Sequence, residues 1–185
     1  MASFAASQQC FHQPIQIPGM PEKQEVIVLV GPMGVGKTTI GKKLAKILSI
    51  PFLDTDQIIV KTHGPIDEYF EKNGEPAFRL IEQSALKDAV QAPAVVATGG
   101  GAVLSESSRH LLASCTVIYL ATDGKHMASR LRKSTRPLLK NGLEDWNRIY
   151  EARRSIYKQV ADFEIDTSGH SLTETITAIR ERLVR

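Results

Sequence analysis

The stretch Val26-Ile-Val-Leu-Val30-Gly-Pro-Met-Gly34-Val-Gly-Lys37-Thr-Thr39 joins an apolar run to a glycine-rich loop and the start of a helical pattern. The loop has the spacing G-x-x-x-x-G-K-[ST], in which successive backbone N–H groups surround a phosphate and a helix N-terminus points at the same anion. Lys37 is expected to reach the outer phosphates, and Thr38 to ligate Mg²⁺. The pattern therefore predicts a nucleoside triphosphate site that comprises Gly34, Val35, Gly36, Lys37, Thr38 and Thr39.

Short apolar runs alternate with helical patterns along the rest of the chain. These runs lack polar alternation, which favours strands buried on both faces of a parallel sheet. We therefore predict an α/β fold with helices on both sides of the sheet. Beyond residues 26–30, strands are predicted at 51–53, 94–97, 117–121 and 163–165, and helices at 38–48, 57–62, 66–71, 76–89, 107–112, 125–130, 146–161 and 172–183.

The composition is that of a globular domain. The chain has 185 residues, of which 42% are hydrophobic and 23% are charged, and its longest apolar run is far shorter than a membrane span. Residues 1–24 contain three prolines and no hydrophobic period, so we predict a disordered tail followed by a single domain at 25–185. The tail has no secretory signal pattern, and it has no arginine and is short for an organelle transit peptide, so we expect a soluble cytoplasmic protein that contacts no membrane, with a plastid origin as the alternative.

The net charge of +3 is unevenly distributed. Ten basic residues and three acidic residues lie between positions 125 and 158, and this local charge suits an anionic ligand. No aromatic residues alternate with these cations as they do in single-strand binders, so nucleic acid is not expected as a partner. Pro137 and Gly142 interrupt the helical period here, which predicts a mobile lid at about 131–143, with a plain connector as the alternative.

Two carboxylates, Asp54 and Asp56, follow the second predicted strand. Ligands of open parallel sheets lie beyond the carboxyl ends of the strands, so both acids are placed near the triphosphate site. Asp54 is expected to hold Mg²⁺, and Asp56 to orient or deprotonate a hydroxyl nucleophile. The alternative for Asp56 is an N-cap of the helix predicted from Gln57.

Three further features suggest a binding site for a second substrate. Arg79 and Glu82 are three residues apart on one predicted helix, where they can pair, either in a site or as a surface salt bridge. Gly99, Gly100 and Gly101 end the third predicted strand, where they form a flexible turn or allow a close backbone approach to a ligand. Arg153 and Arg154 add a pair of cations on a later helix, which could equally face solvent.

This order of motifs resembles the shikimate kinase family over nearly all of residues 25–185. The shared motifs are the phosphate loop, the Asp54-Thr-Asp56 pair, Phe78-Arg79 with Glu82, the glycine triplet, Arg136-Pro-Leu-Leu139 and Arg153-x-x-x-Tyr157. The phosphate loop alone indicates a nucleotide binder, whereas the combination is specific. Ser155 departs from the family, since many members carry proline there.

The resemblance implies transfer of the γ-phosphoryl group of ATP to the 3-hydroxyl of shikimate, with Mg²⁺ as cofactor. It assigns Asp56 to the acceptor hydroxyl and Asp54 to the metal, while Lys37 and Arg136 neutralise the phosphates. Arg79 and Arg153 match the arginines that bind the substrate carboxylate, and the glycine triplet lines the same pocket. Arg130 matches the arginine on the adenine side, and Phe70, Phe78, Pro137 and Leu138 match apolar pocket walls.

The resemblance also implies a nucleoside-monophosphate-kinase-like architecture. The sheet is expected to have five strands in the order 2-3-1-4-5, with a substrate-binding segment at about 56–92, and the protein is expected to be a monomer. One rival is a gluconate-kinase-like enzyme of the same fold, which Arg79, Arg153 and the glycine triplet disfavour. A second is a nucleotide-dependent binding module without catalysis, which would not need Asp54, Asp56, Lys37 and Arg136 together.

Overall fold

The computed structural model describes residues 25–125, 127–128, 139 and 141–184. Four predicted site residues lie outside this part of the chain, namely Arg130, Arg136, Pro137 and Leu138. The predicted tail at 1–24, most of the predicted lid at 131–143 and half of the predicted helix at 125–130 lie outside it as well.

Five parallel strands form one sheet in the order β2-β3-β1-β4-β5, which confirms the predicted α/β fold and strand order. Every residue of β1, β3 and β4 is buried, as expected for strands covered on both faces. The strands are β1 (Val26–Val30), β2 (Phe52–Asp54), β3 (Ala94–Ala97), β4 (Thr116–Ala121) and β5 (Phe163–Asp166).

The helices cover both faces of this sheet. In the described residues they are α1 (Lys37–Leu48), α2 (Thr55–His63), α3 (Ile66–Ala89), α4 (Glu106–Leu112), α5 (Leu143–Val160) and α6 (Leu172–Leu183), with a 3₁₀ turn at Ala102–Leu104. Alternate residues of β1 enter two separate cores because side chains alternate across a strand. Val28 packs with Leu86 of α3 and Tyr157 of α5, whereas Leu29 packs with Leu44 of α1.

Some helix bounds differ from those predicted. The helices predicted at 66–71 and 76–89 meet in α3, which is kinked where Gly74 has φ 77° and ψ 172°. Pro76 lies two residues later, and it lacks the N–H that a regular helix would use at this bend. Within the described residues, no helix combines the length and the apolar character that a bilayer crossing needs.

Candidate active site

The predicted site residues of β1, β2 and β3 meet at one edge of the sheet. The phosphate loop follows β1, Asp54 is the last residue of β2, and the glycine triplet starts two residues after β3. Because β3 lies between β1 and β2 and all three strands are parallel, their carboxyl ends are neighbours. This is the edge at which open α/β sheets bind ligands.

The phosphate loop depends on glycine at three positions. Gly31, Gly34 and Gly36 have φ values of 139°, 81° and 107°, which side chains rarely adopt. Gly36 is also the N-cap of α1, so no side chain stands between the helix N-terminus and an approaching phosphate. The buried Lys37 lies along the loop, where its Nζ donates to the carbonyls of Gly31 and Pro32, both at 2.8 Å.

Thr38 and Asp54 form a pair of oxygen donors beside the loop. The Thr38 hydroxyl donates to Asp54 Oδ2 at 2.7 Å. The described residues contain no cluster of three or more His, Cys, Asp or Glu side chains that could hold a metal. Mg²⁺ is commonly held by one or two protein ligands together with substrate phosphates, so this pair fits the predicted role.

Asp54, rather than Asp56, is the N-cap of α2. Asp54 Oδ1 accepts from the backbone N–H of Asp56 at 3.1 Å and of Gln57 at 3.4 Å. The predicted helix start at Gln57 was therefore wrong, since α2 already begins at Thr55. The cap leaves Asp56 in the first turn of α2, close enough to Glu82 for their charges to interact.

Arg79 lies between two glutamates of the same helix. Its Nη1 donates to Glu82 Oε2 at 2.6 Å, while its Nη2 and Nε donate to Glu75 Oε1 at 2.7 and 3.2 Å. The predicted Arg79–Glu82 pair is thus present, with the Arg79 side chain 17% exposed and that of Glu82 4% exposed. Glu75 was missed by the sequence analysis, although its i,i+4 spacing to Arg79 was a usable signal.

The electrostatics of this cluster centre on Glu82. Burial raises the pKa of the Glu82 carboxyl, and this outweighs the lowering by Arg79; Asp56 raises it further, and Arg153 lowers it. Burial tends to lower the pKa of Arg79, but Glu82 and Glu75 together raise it above its ordinary value. Arg79 therefore keeps its charge. Glu82 interacts electrostatically with Asp56 and with both predicted substrate arginines, Arg79 and Arg153.

The glycine triplet is surrounded by these side chains. A Cβ on Gly99 would lie 2.6 Å from Glu82 Oε1 and 2.9 Å from Asp56 Oδ1. A Cβ on Gly101 would lie only 2.1 Å from Arg79 Nη1. The triplet lies close to the protein's own site residues, and the predicted approach to a ligand stays a prediction.

The triplet is also held by hydrogen bonds that the sequence analysis did not identify. The backbone N–H of Gly99 donates to the buried Thr55 hydroxyl at 3.1 Å. The Gly100 carbonyl accepts from Arg153 Nη1 at 3.2 Å and from the Tyr157 hydroxyl. Thr55 lies between the two aspartates in sequence, but its partner is 44 residues away, so no local pattern reveals the bond.

Of the two adjacent arginines on α5, only Arg153 faces the triplet. Arg153 is buried, whereas Arg154 is half-exposed and pairs with Glu151 at 3.6 Å. Phe70 and Phe78 pack together with ring centroids 5.6 Å apart, and the Arg79 guanidinium carbon lies 5.4 Å from the Phe78 centroid. Phe78 is almost fully buried between α2 and α3, so its contact with substrate stays a prediction.

The chain is similar to known shikimate kinases in sequence and in fold. The "Shikimate kinase" family model matches residues 33–184. A shikimate kinase of Streptomyces coelicolor is 42% identical over 157 residues, covering 83% of this chain and 92% of the relative. One from Rhodococcus jostii is 39% identical over 161 residues, covering 84% and 96%. The solved shikimate kinase of Acinetobacter baumannii, in complex with shikimate, has a TM-score of 0.83 at 35% identity and covers 88% of this chain and 94% of its own.

Proposed function

The chain belongs to the shikimate kinase family, and we propose that it transfers the γ-phosphoryl group of ATP to the 3-hydroxyl of shikimate, a step of aromatic amino-acid biosynthesis. The observation that carries the proposal is the placement of Arg79, Arg153 and Asp56 around one glycine triplet, directly beside the phosphate loop. This arrangement offers cations for a carboxylate and an acid for a hydroxyl in one place.

Arg79 and Arg153 bind the shikimate carboxylate in this proposal. A guanidinium group has five N–H donors, so each arginine keeps donors for a ligand beyond those already bonded to protein. Glu75 and Glu82 hold Arg79, and the Gly100 carbonyl holds Arg153, so both cations are oriented before substrate arrives. Such preorganisation lowers the entropic cost of positioning the acceptor.

Asp56 orients the acceptor hydroxyl and accepts its proton as the phosphoryl group is transferred. Lys37 contacts the phosphates once its ammonium turns from the loop carbonyls towards them. Thr38 and Asp54 hold Mg²⁺, which supplies charge neutralisation at the phosphates. Catalysis is then mainly positioning and electrostatic stabilisation, as in other phosphoryl transfers.

The remaining assignments rest on the family resemblance. Arg136 closes on the phosphates from the lid at 131–143, Arg130 contacts the adenine side, and Pro137 and Leu138 form apolar walls. A cytoplasmic location and a monomeric state belong to the same proposal.

The test is ADP release by the purified chain with Mg-ATP plus shikimate, plus gluconate, or with neither. We expect ADP release only in the reaction that contains shikimate together with Mg-ATP. The Asp56→Asn variant is the matched control, because it keeps the side-chain shape but removes the proposed base. Equal turnover with gluconate, no turnover with shikimate, or wild-type turnover in Asp56→Asn would each contradict the proposal.

A further inference from the structure

Helix α5 sends two side chains to a single backbone carbonyl. Arg153 and Tyr157 are four residues apart and so lie on the same face of the helix. Arg153 Nη1 and the Tyr157 hydroxyl both donate to the Gly100 carbonyl. Arg153 is 8% exposed and Tyr157 is 1% exposed, so both bonds are formed away from bulk water.

The Tyr157 ring is itself fixed from the central sheet. It stacks on the ring of Tyr119 in β4, with centroids 5.3 Å apart and an interplanar angle of 20°. The Tyr119 hydroxyl lies 2.6 Å from that of Tyr150, which also accepts from the backbone N–H of Thr122 at 3.3 Å. A continuous path of buried contacts therefore runs from β4 through Tyr119 and Tyr157 to Gly100.

The Tyr157 hydroxyl can only act as a neutral donor at physiological pH. Burial raises its pKa to about 12, against the lowering effect of the Arg153 charge and hydrogen bond. The hydroxyl therefore stays protonated, and so able to donate to Gly100, across the pH range in which the kinase would work.

The glycine triplet needs such support. Glycine has more backbone freedom than any other residue, so three in succession do not hold a fixed path by themselves. A Cβ at Gly99 would crowd Glu82 and Asp56, and a Cβ at Gly101 would crowd Arg79, so a side chain at either position would displace residues of the site. Hydrogen bonds to the backbone of the triplet are the remaining way to fix it.

We propose that Tyr157 is a positioning residue for shikimate binding, which fixes the Gly100 carbonyl and through it the direction of the Arg153 guanidinium. The inference rests on the proposed function, because it assigns Arg153 to the shikimate carboxylate. Tyr157 itself does not touch substrate. Its contribution therefore appears in the affinity for shikimate and is absent from the affinity for ATP.

The first test is Tyr157→Phe, which keeps the stacked ring and removes only the hydroxyl. We expect KM for shikimate to rise about three- to tenfold, the range set by loss of one neutral hydrogen bond. KM for ATP and kcat should stay within about twofold of wild type. Tyr119→Phe is the matched control, because it removes a buried hydroxyl from the other ring of the stack without touching Gly100, and it should leave both KM values unchanged.

A double-mutant cycle with Arg153→Ala tests whether Tyr157 affects shikimate binding through Arg153. If Tyr157 acts by orienting Arg153, then Tyr157→Phe should cause no further rise in KM once Arg153 is alanine. Should Tyr157→Phe turn over too slowly for kinetics, the shift in Tm caused by shikimate provides the same affinity comparison.

The outcomes distinguish a failure of the proposed function from a failure of the positioning role of Tyr157. Wild type without shikimate turnover refutes the proposed function. Wild type with shikimate turnover, combined with an unchanged KM in Tyr157→Phe, refutes the positioning role. An equal KM rise in the Arg153→Ala background refutes it too, as does a fall in kcat at constant KM.

Discussion

The contact between Gly101 and Arg79 leads to a sharp prediction for Gly101→Ala. Gly101 has φ −100° and ψ −6°, which alanine can adopt, so the backbone is not strained by the change. The new Cβ would instead lie 2.1 Å from Arg79 Nη1, 2.6 Å from Cζ and 2.8 Å from Nη2. The guanidinium group must move, because real Cβ atoms essentially never approach a heavy atom closer than 3.0 Å and ordinary contact begins at about 3.4 Å.

The required displacement is the difference between 3.4 and 2.1 Å, or about 1.3 Å. It moves the tip of a flexible side chain, so the fold should survive. The displacement disturbs the Arg79 bonds to Glu75 and Glu82 and misplaces the guanidinium for the substrate carboxylate. Loss of a hydrogen bond to a charged group costs about 1.5–3 kcal/mol, which corresponds to roughly a 10- to 150-fold rise in KM for shikimate.

Steady-state kinetics with each substrate varied in turn measure the effect. We expect Gly101→Ala to leave KM for ATP unchanged and to lower kcat far less than it raises KM for shikimate. Gly99→Ala is the informative contrast, because its Cβ would meet Glu82 and Asp56 rather than Arg79. This variant should therefore mainly lower kcat. Gly169→Ala is the control for a glycine-to-alanine change outside the site: nothing lies within 4 Å of its Cβ, and although its φ of +69° adds backbone strain that Gly101→Ala lacks, both KM values should be unchanged.

A KM for shikimate within twofold of wild type in Gly101→Ala would refute the reasoning. Since the geometry requires Arg79 to move, that result would mean that Arg79 does not bind the carboxylate.

Three other predictions follow from the site. Asp54→Asn should keep the N-cap of α2 and therefore Tm, because Asn caps as well as Asp, but should raise the Mg²⁺ concentration for half-maximal activity about tenfold or more; an unchanged Mg²⁺ dependence would contradict the metal role. Burial raises the pKa of Glu82 above 4.5, so its stabilising contribution is complete below pH 4.5 and is lost as pH rises through the folded-state value. The free energy of unfolding of Glu82→Gln minus that of wild type should therefore be larger at pH 7 than at pH 4.5 in urea titrations, which means that the variant gains relative stability as pH rises, and the opposite trend would refute this. Arg79→Ala should mainly raise KM for shikimate, whereas Arg136→Ala should mainly lower kcat; if neither altered shikimate kinetics, both assignments would be wrong.

The fold could be predicted from local pattern because the strands are buried on both faces. Residues 26–30 and 117–121 are continuous apolar runs, and that pattern has few interpretations other than a central parallel strand. The strand order itself came from the family resemblance. Helix starts were harder to predict, because Asp54 and Asp56 are equally good caps by residue type and only the three-dimensional bonds distinguish them.

Interactions within the site could be predicted where the two interacting residues are close in sequence. Arg79 and Glu82 share a helix, so their spacing alone indicated a pair. The partners of Gly99 and Gly100 are 44 to 57 residues away, and such bonds leave no local pattern. Tyr157 is an example: the sequence predicted that it belongs to a motif, but its hydrogen bond to the Gly100 carbonyl is visible only in the structure.

The glycine triplet brings residues of different motifs close together, and this explains why the combination is more informative than any single motif. Gly99 leaves room for Glu82 of the third motif and Asp56 of the second, while Gly101 leaves room for Arg79. Each motif therefore limits which side chains the others can carry: a side chain at Gly101 displaces the arginine, and one at Gly99 displaces the acids. In a chain that contains only the phosphate loop, the other motifs do not restrict the side chains around the acceptor. The loop by itself therefore predicts a triphosphate ligand but does not predict the acceptor. The acceptor becomes predictable when the acids, the arginine and the glycines occur together, because in this fold they share one small volume.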